Sequence, residues 1–182
     1  KTAIRSGVAV QVVSAPQLFP TPPELAARMV EESGVQAGDT VLEPSAGTGA
    51  IVRAVIDAVD TEIVGYEINR DLTSALSRTF PSYKLHAECR DFLTVTDGLG
   101  QFPVVLMNPP FANAQDIVHI KHAIKFLRPG GRLVAICAGG PRQERELKPL
   151  AEDSGGIWEP LPPNTFASAG TGVNAVLLTI CN

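Results

Sequence analysis

The sequence predicts an α/β fold built on a mainly parallel, doubly wound sheet. Short β-rich apolar runs alternate with longer helical windows. About seven such runs occur in 182 residues, a length suited to one domain. Several of the runs end in an acidic residue or a glycine-rich turn, as strands do where an open sheet binds ligands at its carboxyl edge.

The elements follow in chain order. Val8–Val13 reads as a strand that could sit at an edge. Pro16, Pro20, Pro22 and Pro23 then mark a loop. Thr21 is placed to cap a helix from Pro22 to about Glu32, with Glu24 at capping-box spacing and Gly34 as the stop. Thr40–Glu43 is a short buried strand that runs into Pro44, Ser45, Ala46, Gly47, Thr48 and Gly49, and a helix follows from about Ala50 to Val59. Glu62–Glu67 is a strand, Arg70 to about Phe80 a helix, and Tyr83–Ala87 the third strand. Val104–Met107 is the fourth strand, followed by a helix at roughly Asp116–Leu127. Pro129-Gly-Gly131 reads as a turn before the strand Arg132–Ala138. Arg142–Asp153 is helical, and Ile157–Leu161 and Ala175–Cys181 are the last two strands.

At 45% apolar the chain can bury a sizeable core. The net charge of −4 does not favour general affinity for polyanions. The charge is uneven, however: between Ile117 and Lys148 seven basic residues face only Glu144 and Glu146, leaving that segment at +5 and the remainder at −9. Cys89, Cys137 and Cys181 are too scattered for a metal site or disulfide frame and read as free thiols. No stretch has the apolar length of a membrane span and no signal peptide is seen, so a cytoplasmic setting and no membrane partner are expected.

A strand, then Gly47-Thr-Gly49, then a helix makes a nucleoside-type turn. Glycines let the backbone approach a ligand closely. Val52 stands where a dinucleotide fingerprint needs its third glycine, and Glu43 would repel a pyrophosphate. A cation would be welcome there, and S-adenosylmethionine carries an ammonium and a sulfonium but no phosphate. Glu67 ends the second strand and can accept both hydroxyls of a ribose. Asp91, after the third, can accept from an adenine amino group, with Phe92 or Ile68 against the ring. Three acids after three successive strands land at one carboxyl edge.

Asn108-Pro109-Pro110-Phe111 follows the fourth strand. The prolines fix an extended course and remove two N–H donors. What remains is a cluster of acceptors, the Asn108 side-chain oxygen and the Pro109 carbonyl. Two hydrogen bonds from a planar amino group push electron density onto its nitrogen, so its lone pair can attack a methyl sulfonium. Phe111 can stack on a planar target.

With these motifs the chain resembles the amino-methyltransferases. Phe19-Pro-Thr21-Pro22-Pro23 is similar to the family's N-terminal cofactor-side motif, Glu43 to Gly49 to its cofactor loop, Glu67 and Asp91 to its ribose and adenine acids, and Asn108 to Phe111 to its catalytic motif. The motif order is similar to that of N6-adenine DNA methyltransferases of phages and mobile elements, and the loop Ser168–Asn174, with Thr171 and Asn174, to their substrate-side loop. The resemblance implies a Rossmann-like class I methyltransferase: a seven-stranded, mainly parallel sheet with helices on both faces. It also implies S-adenosyl-L-methionine as cofactor, no metal, and a nucleic-acid partner, DNA before RNA. A single domain over residues 1–182 is expected, with an N-terminal strand and helix at about 8–33. No insertion is long enough to be the target-recognition domain such enzymes carry. Specificity is therefore expected on another chain, in an RNA target, or at a low level.

A glutamine amide is also a planar NH₂ group, so a protein amide N-methyltransferase shares the motif. A non-catalytic module of the same fold should show eroded motifs, and these are intact. A nicotinamide-dependent reductase leaves Val52 and Asn108–Phe111 unexplained. The basic segment, with Arg142 and Arg145 just beyond the fifth strand, favours nucleic acid. The oligomeric state is not legible.

Overall fold

The computed structural model describes residues 19–170 and 172–182. The strand expected at Val8–Val13, and Thr171, lie outside the described residues. Seven strands form one sheet: β1 Thr40–Glu43, β2 Glu62–Glu67, β3 Leu85–Cys89, β4 Phe102–Met107, β5 Leu127–Ala138, β6 Trp158–Pro160 and β7 Ala175–Cys181. Their order is β3-β2-β1-β4-β5-β7-β6. β7 runs antiparallel to β5 and β6, and the other neighbours are parallel. The helices are α1 Pro23–Ser33, α2 Ala50–Ala58, α3 Arg70–Thr79, α4 Gln115–Ile124 and α5 Pro141–Asp153. This is the Rossmann-like, mainly parallel arrangement that the sequence predicts.

Strand alternation explains the layers. Successive side chains on a strand point to opposite faces, so a continuous apolar run feeds two cores. Val41, Ile63, Val104, Leu106 and Val134 pack with Leu25 and Met29 of α1, Ile51, Val52 and Val55 of α2, and Leu76 of α3. Their neighbours Leu42, Val105, Met107, Leu133 and Ala135 pack with Ile117 and Ile120 of α4 and Leu147 and Ala151 of α5. Burying each of the Val, Leu, Ile and Met side chains contributes about 1.5–3 kcal/mol, which fixes the strand register against slippage.

The chain steps outward from β1 to β3, then returns to place β4 on the other side of β1. Such a reversal opens a crevice at the carboxyl ends of the two central strands. Glu43 is the last residue of β1, and Asn108 directly follows β4.

Several boundaries differ from expectation. The N-cap of α1 is Pro22, with no side-chain cap bond, so Thr21 does not serve as the cap. Its hydroxyl accepts instead from Asn108, 87 residues away. β3 begins at Leu85 because the Pro81 carbonyl accepts from Lys84 N and Leu85 N, closing a turn that leaves Tyr83 in solvent. Pro129-Gly-Gly131 is not a boundary but an excursion inside β5: Phe102 pairs with Leu127, and Val104 already pairs with Arg132. Gly131 is required there, since a Cβ would lie 2.9 Å from the Arg128 carbonyl oxygen. β6 is shorter than expected, covering only Trp158–Pro160.

Candidate active site

The crevice is a cavity of about 450 Å³ whose wall runs from Phe19, Thr21 and Asn108, past Glu43 and the Pro44–Thr48 loop, to Ile68, Asp91 and Phe92. Segments distant in sequence build it: the entry to α1, the β1–α2 loop, the ends of β2 and β3, the loop after β4, and α4.

The β1–α2 loop is held from beneath. Ala46 N donates to Tyr66 O, and Gly47 N donates to the Glu67 carboxylate at 2.9 Å. Gly49 has φ +83°, and a Cβ there would lie 2.6 Å from the Phe80 ring. Glycine is thus needed at this position both for backbone conformation and for space. The other Glu67 oxygen accepts from Asn69 N at 2.8 Å. Asn69 in turn caps α3 by accepting from Asp71 N and Leu72 N. Glu67 therefore clamps two turns together while lining the cavity, and its carboxylate oxygens keep further lone pairs for a ligand.

Glu43 has a different environment. It is 1% exposed, and its Oε2 has no hydrogen-bond partner. Burial pushes its carboxyl well above the usual carboxylate range, and the nearby Glu67 charge adds to this; the Val52 N–H opposes the shift. An unpartnered buried carboxylate facing a cavity is a site for a positive charge or a donor. A sulfonium or ammonium meets that requirement, and a phosphate does not.

At the far end Asp91 caps a 3₁₀ turn by accepting from Leu93 N at 2.9 Å, and it lines the cavity. Ile68 is 71% exposed, an apolar side chain left open at the cavity edge. Phe92 touches the cavity but is largely enclosed among Tyr66, His122 and Phe126.

At the near end Asn108 Nδ2 donates to Phe19 O at 2.9 Å and to Thr21 Oγ1 at 3.1 Å. A main-chain carbonyl can only accept, so it fixes which end of the amide is NH₂. Oδ1 is bonded to no described residue and remains an acceptor on the cavity wall, next to Pro109 and Pro110. Phe19 and Thr21, expected on the cofactor side, line the cavity and also orient Asn108.

Some expected residues are off the wall. Pro22, Gly49 and Phe111 do not line the cavity. Phe111 is 8% exposed, with its ring 5.8 Å from Phe19 and 6.4 Å from Phe166. It supports the loop and presents no open stacking face. Phe166, missed in the sequence, joins the loop before β7 to the Asn108–Phe111 loop and the entry to α1. Asn174 is exposed, and its carbonyl accepts from Gly139 N at 2.7 Å, tying that loop to the end of β5. Arg142 and Arg145 are exposed on α5, and each lies 3.4 Å from Glu146. Lys121 reaches the same carboxyl at 2.9 Å, and Lys121, with Arg142, holds it below the usual carboxylate range. Part of the basic segment is thus internally neutralised. Gln115 and His119 of α4 also line the cavity and were not foreseen. Their spacing of one helical turn, just after Asn108–Phe111, was the available signal.

Comparison with known proteins gives concordant findings. The family model of the methyltransferase small domain matches residues 24–151. Modification methylase CviBIII of Paramecium bursaria Chlorella virus NC1A is 31% identical over 75 residues, covering 41% of this chain and 19% of that protein. Ribosomal RNA small subunit methyltransferase A of Synechococcus sp. (strain CC9311) is 36% identical over 69 residues, covering 37% of this chain and 25% of that one. The chain thus spans a quarter or less of the length of these relatives. A solved structure from Vibrio vulnificus YJ016, described as a modification subunit of a type I restriction enzyme, superposes with TM-score 0.74. It covers 93% of this chain and 45% of that one at 16% identity, a likeness of fold.

Proposed function

The chain belongs to the methyltransferase small-domain family, with S-adenosylmethionine as its cofactor, and from that premise we propose that it methylates an exocyclic amino nitrogen, the N6 of adenine in DNA. The observation that carries the proposal is the fixed Asn108 amide, whose Nδ2 is committed to Phe19 O and Thr21 Oγ1.

The residues present fit the cofactor. Glu43 Oε2 needs a donor or cation, Glu67 keeps lone pairs for a diol, and Ile68 and Asp91 offer an apolar edge and an acceptor for a purine. When bound, S-adenosylmethionine supplies a methyl group on a positively charged sulfur. Asn108 Oδ1 and the Pro109 carbonyl accept the two N–H bonds of the target amino group. Losing conjugation with the ring, the nitrogen gains lone-pair density; the N–C bond it would form is balanced by breaking of the sulfur–methyl bond, whose electron pair would return to and neutralise the sulfur. Both oxygens hold the amino protons until one leaves to solvent, so no base need act beforehand. Such acceptors act where charge develops, which places their effect on the rate. The aromatic group Phe19, Phe111 and Phe166 packs together beside the Asn108 anchor and stiffens this end.

Both curated relatives carry nucleic-acid names, a modification methylase and a ribosomal RNA methyltransferase, which supports a nucleic-acid target here. The likeness to a modification subunit supports target reading by a partner chain. The test offers labelled S-adenosylmethionine with duplex DNA, single-stranded DNA, total RNA and cell protein, followed by nucleoside analysis. Label in N6-methyladenine from DNA is the expected result. Label only in RNA moves the substrate, and label only in protein glutamine replaces the nucleic-acid reading altogether.

A further inference from the structure

Among the described residues, two buried side-chain polar atoms lack a hydrogen-bond partner: Glu43 Oε2 and His119 Nδ1. Both residues line the same cavity. Leaving a buried polar atom unpaired is costly, so each calls for an explanation. Glu43 has one in the cofactor's positive charge. Resting on the cofactor reading above, we infer that His119 Nδ1 is an acceptor for the adenine 6-amino group of the cofactor and, with Asp91, selects adenine over a 6-oxo purine.

A neighbour on the same helix provides the contrast. His122 also packs on Phe92, with ring centroids 4.9 Å apart, and its Nε2 meets Val95 O at 3.0 Å. It is a satisfied core histidine off the cavity wall. His119 lies 6.3 Å from the same Phe92 ring, is on the wall, and has a buried nitrogen without a partner. A purely structural histidine would be bonded as His122 is.

The chemistry narrows the ligand. Burial holds His119 below the ordinary histidine range, and His122 pushes the same way against the Asp91 and Asp116 charges. The ring is therefore neutral near pH 7, with one N–H and one lone pair. An unpaired buried N–H is costlier than an unpaired acceptor, so the favoured tautomer puts the proton on Nε2 and leaves Nδ1 as an acceptor. An N9-linked adenine has one donor group, the 6-amino group, which carries two N–H bonds. Asp91, on the same stretch of wall, accepts one of them, and His119 accepts the other. A 6-oxo purine puts a carbonyl oxygen in that place, which His119 could meet only by moving its proton from Nε2 to Nδ1.

The test is equilibrium binding to the purified full chain of S-adenosylhomocysteine, which has no methyl to transfer, and of its inosine counterpart. His119→Phe keeps a ring against Phe92 but removes both nitrogens. His119→Asn keeps an amide oxygen near the Nδ1 position. The expected result is roughly three- to tenfold weaker binding of S-adenosylhomocysteine by His119→Phe, the size of one lost hydrogen bond, with recovery in His119→Asn. Selectivity over the inosine analogue should shrink by the same factor. Equal affinities of His119→Phe and the unmodified chain for S-adenosylhomocysteine overturn the inference, as does an equal loss for both ligands, which marks a packing role. Asp91→Ala separates the two levels. If it weakens binding while His119→Phe does not, only the His119 role fails; if neither changes binding, the cofactor reading at this end fails. Should His119→Phe not fold, His119→Asn and the ratio of the two ligands still decide.

Discussion

Glu43 and Glu67 end adjacent parallel strands and line one cavity, yet they live differently. Glu67 has its two oxygens engaged by Gly47 N and Asn69 N. Glu43 is wholly buried, with one oxygen unpaired and its ionisation opposed by burial and by Glu67 itself. The first carboxylate organises the site before any ligand arrives. The second keeps an unpaired buried oxygen, which the proposed reading gives to a cation. On that reading, identical side chains at equivalent strand ends divide preorganisation and recognition between them.

The largest expected effect lies outside this pair and calibrates it. Asn108→Ala should lower single-turnover methyl transfer by about 10²–10³-fold, the range for removing one positioned hydrogen-bonding group, with cofactor affinity unchanged. Thr21→Val, which removes one of the two anchors of the amide, should cost less. Rapid-quench kinetics beside calorimetry separate rate from affinity; an unchanged rate in Asn108→Ala would mean the acceptor cluster has been misread.

Glu67→Ala comes next. It should weaken cofactor binding by about 1–3 kcal/mol and also lower the melting temperature without ligand, because Gly47 N and Asn69 N lose their acceptor. Weaker binding with no thermal change would assign Glu67 to recognition alone and collapse the contrast with Glu43.

Glu43 gives a smaller signature with a definite sign. Its folded carboxyl is raised above the unfolded value, so the native state binds the extra proton. The associated stability is complete below the ordinary carboxylate range and is lost as pH rises through the folded value. The melting temperature of the unmodified chain should therefore fall relative to Glu43→Gln as pH rises from about 4 to 8. A relative change of a few degrees corresponds to roughly 1 kcal/mol in a domain of this size. Parallel curves would show that Glu43 does not titrate abnormally.

The smallest effect concerns Arg142 and Arg145. Replacing both with Glu should reduce the salt slope of nucleic-acid binding by about one unit per lost phosphate contact and leave cofactor affinity alone. Because Glu146 already engages both arginines, a slope that does not move would mark them as a self-contained surface cluster.

What could be read from the sequence follows physical range. β1, β2 and β7 fall where the apolar runs put them, because short strands buried on both faces are specified by their own residues. The acids and the Asn108 motif gather at one edge because strand order takes them there. The errors arise where a distant partner decides. Thr21 has good capping chemistry, but its hydroxyl is taken by Asn108. Pro129-Gly-Gly131 looks like a boundary, but pairing of β4 with β5 continues on both sides of it. Phe111 looks like an open platform until Phe19 and Phe166 enclose it. His119 is hinted at by its spacing of one helical turn from Gln115, but its unpartnered nitrogen is a property of packing.

The most direct measurement is calorimetric binding of S-adenosylmethionine to the unmodified chain and to Glu43→Gln across about pH 5 to 8. The unmodified chain should bind more tightly as pH rises and Glu43 ionises, releasing a proton on binding. Glu43→Gln should bind roughly tenfold more weakly, as expected for a lost charge-assisted contact, with that rise and proton release gone. Equal affinity and the same pH profile in both proteins would contradict a cation site at Glu43, and with it the placement of the cofactor in this cavity.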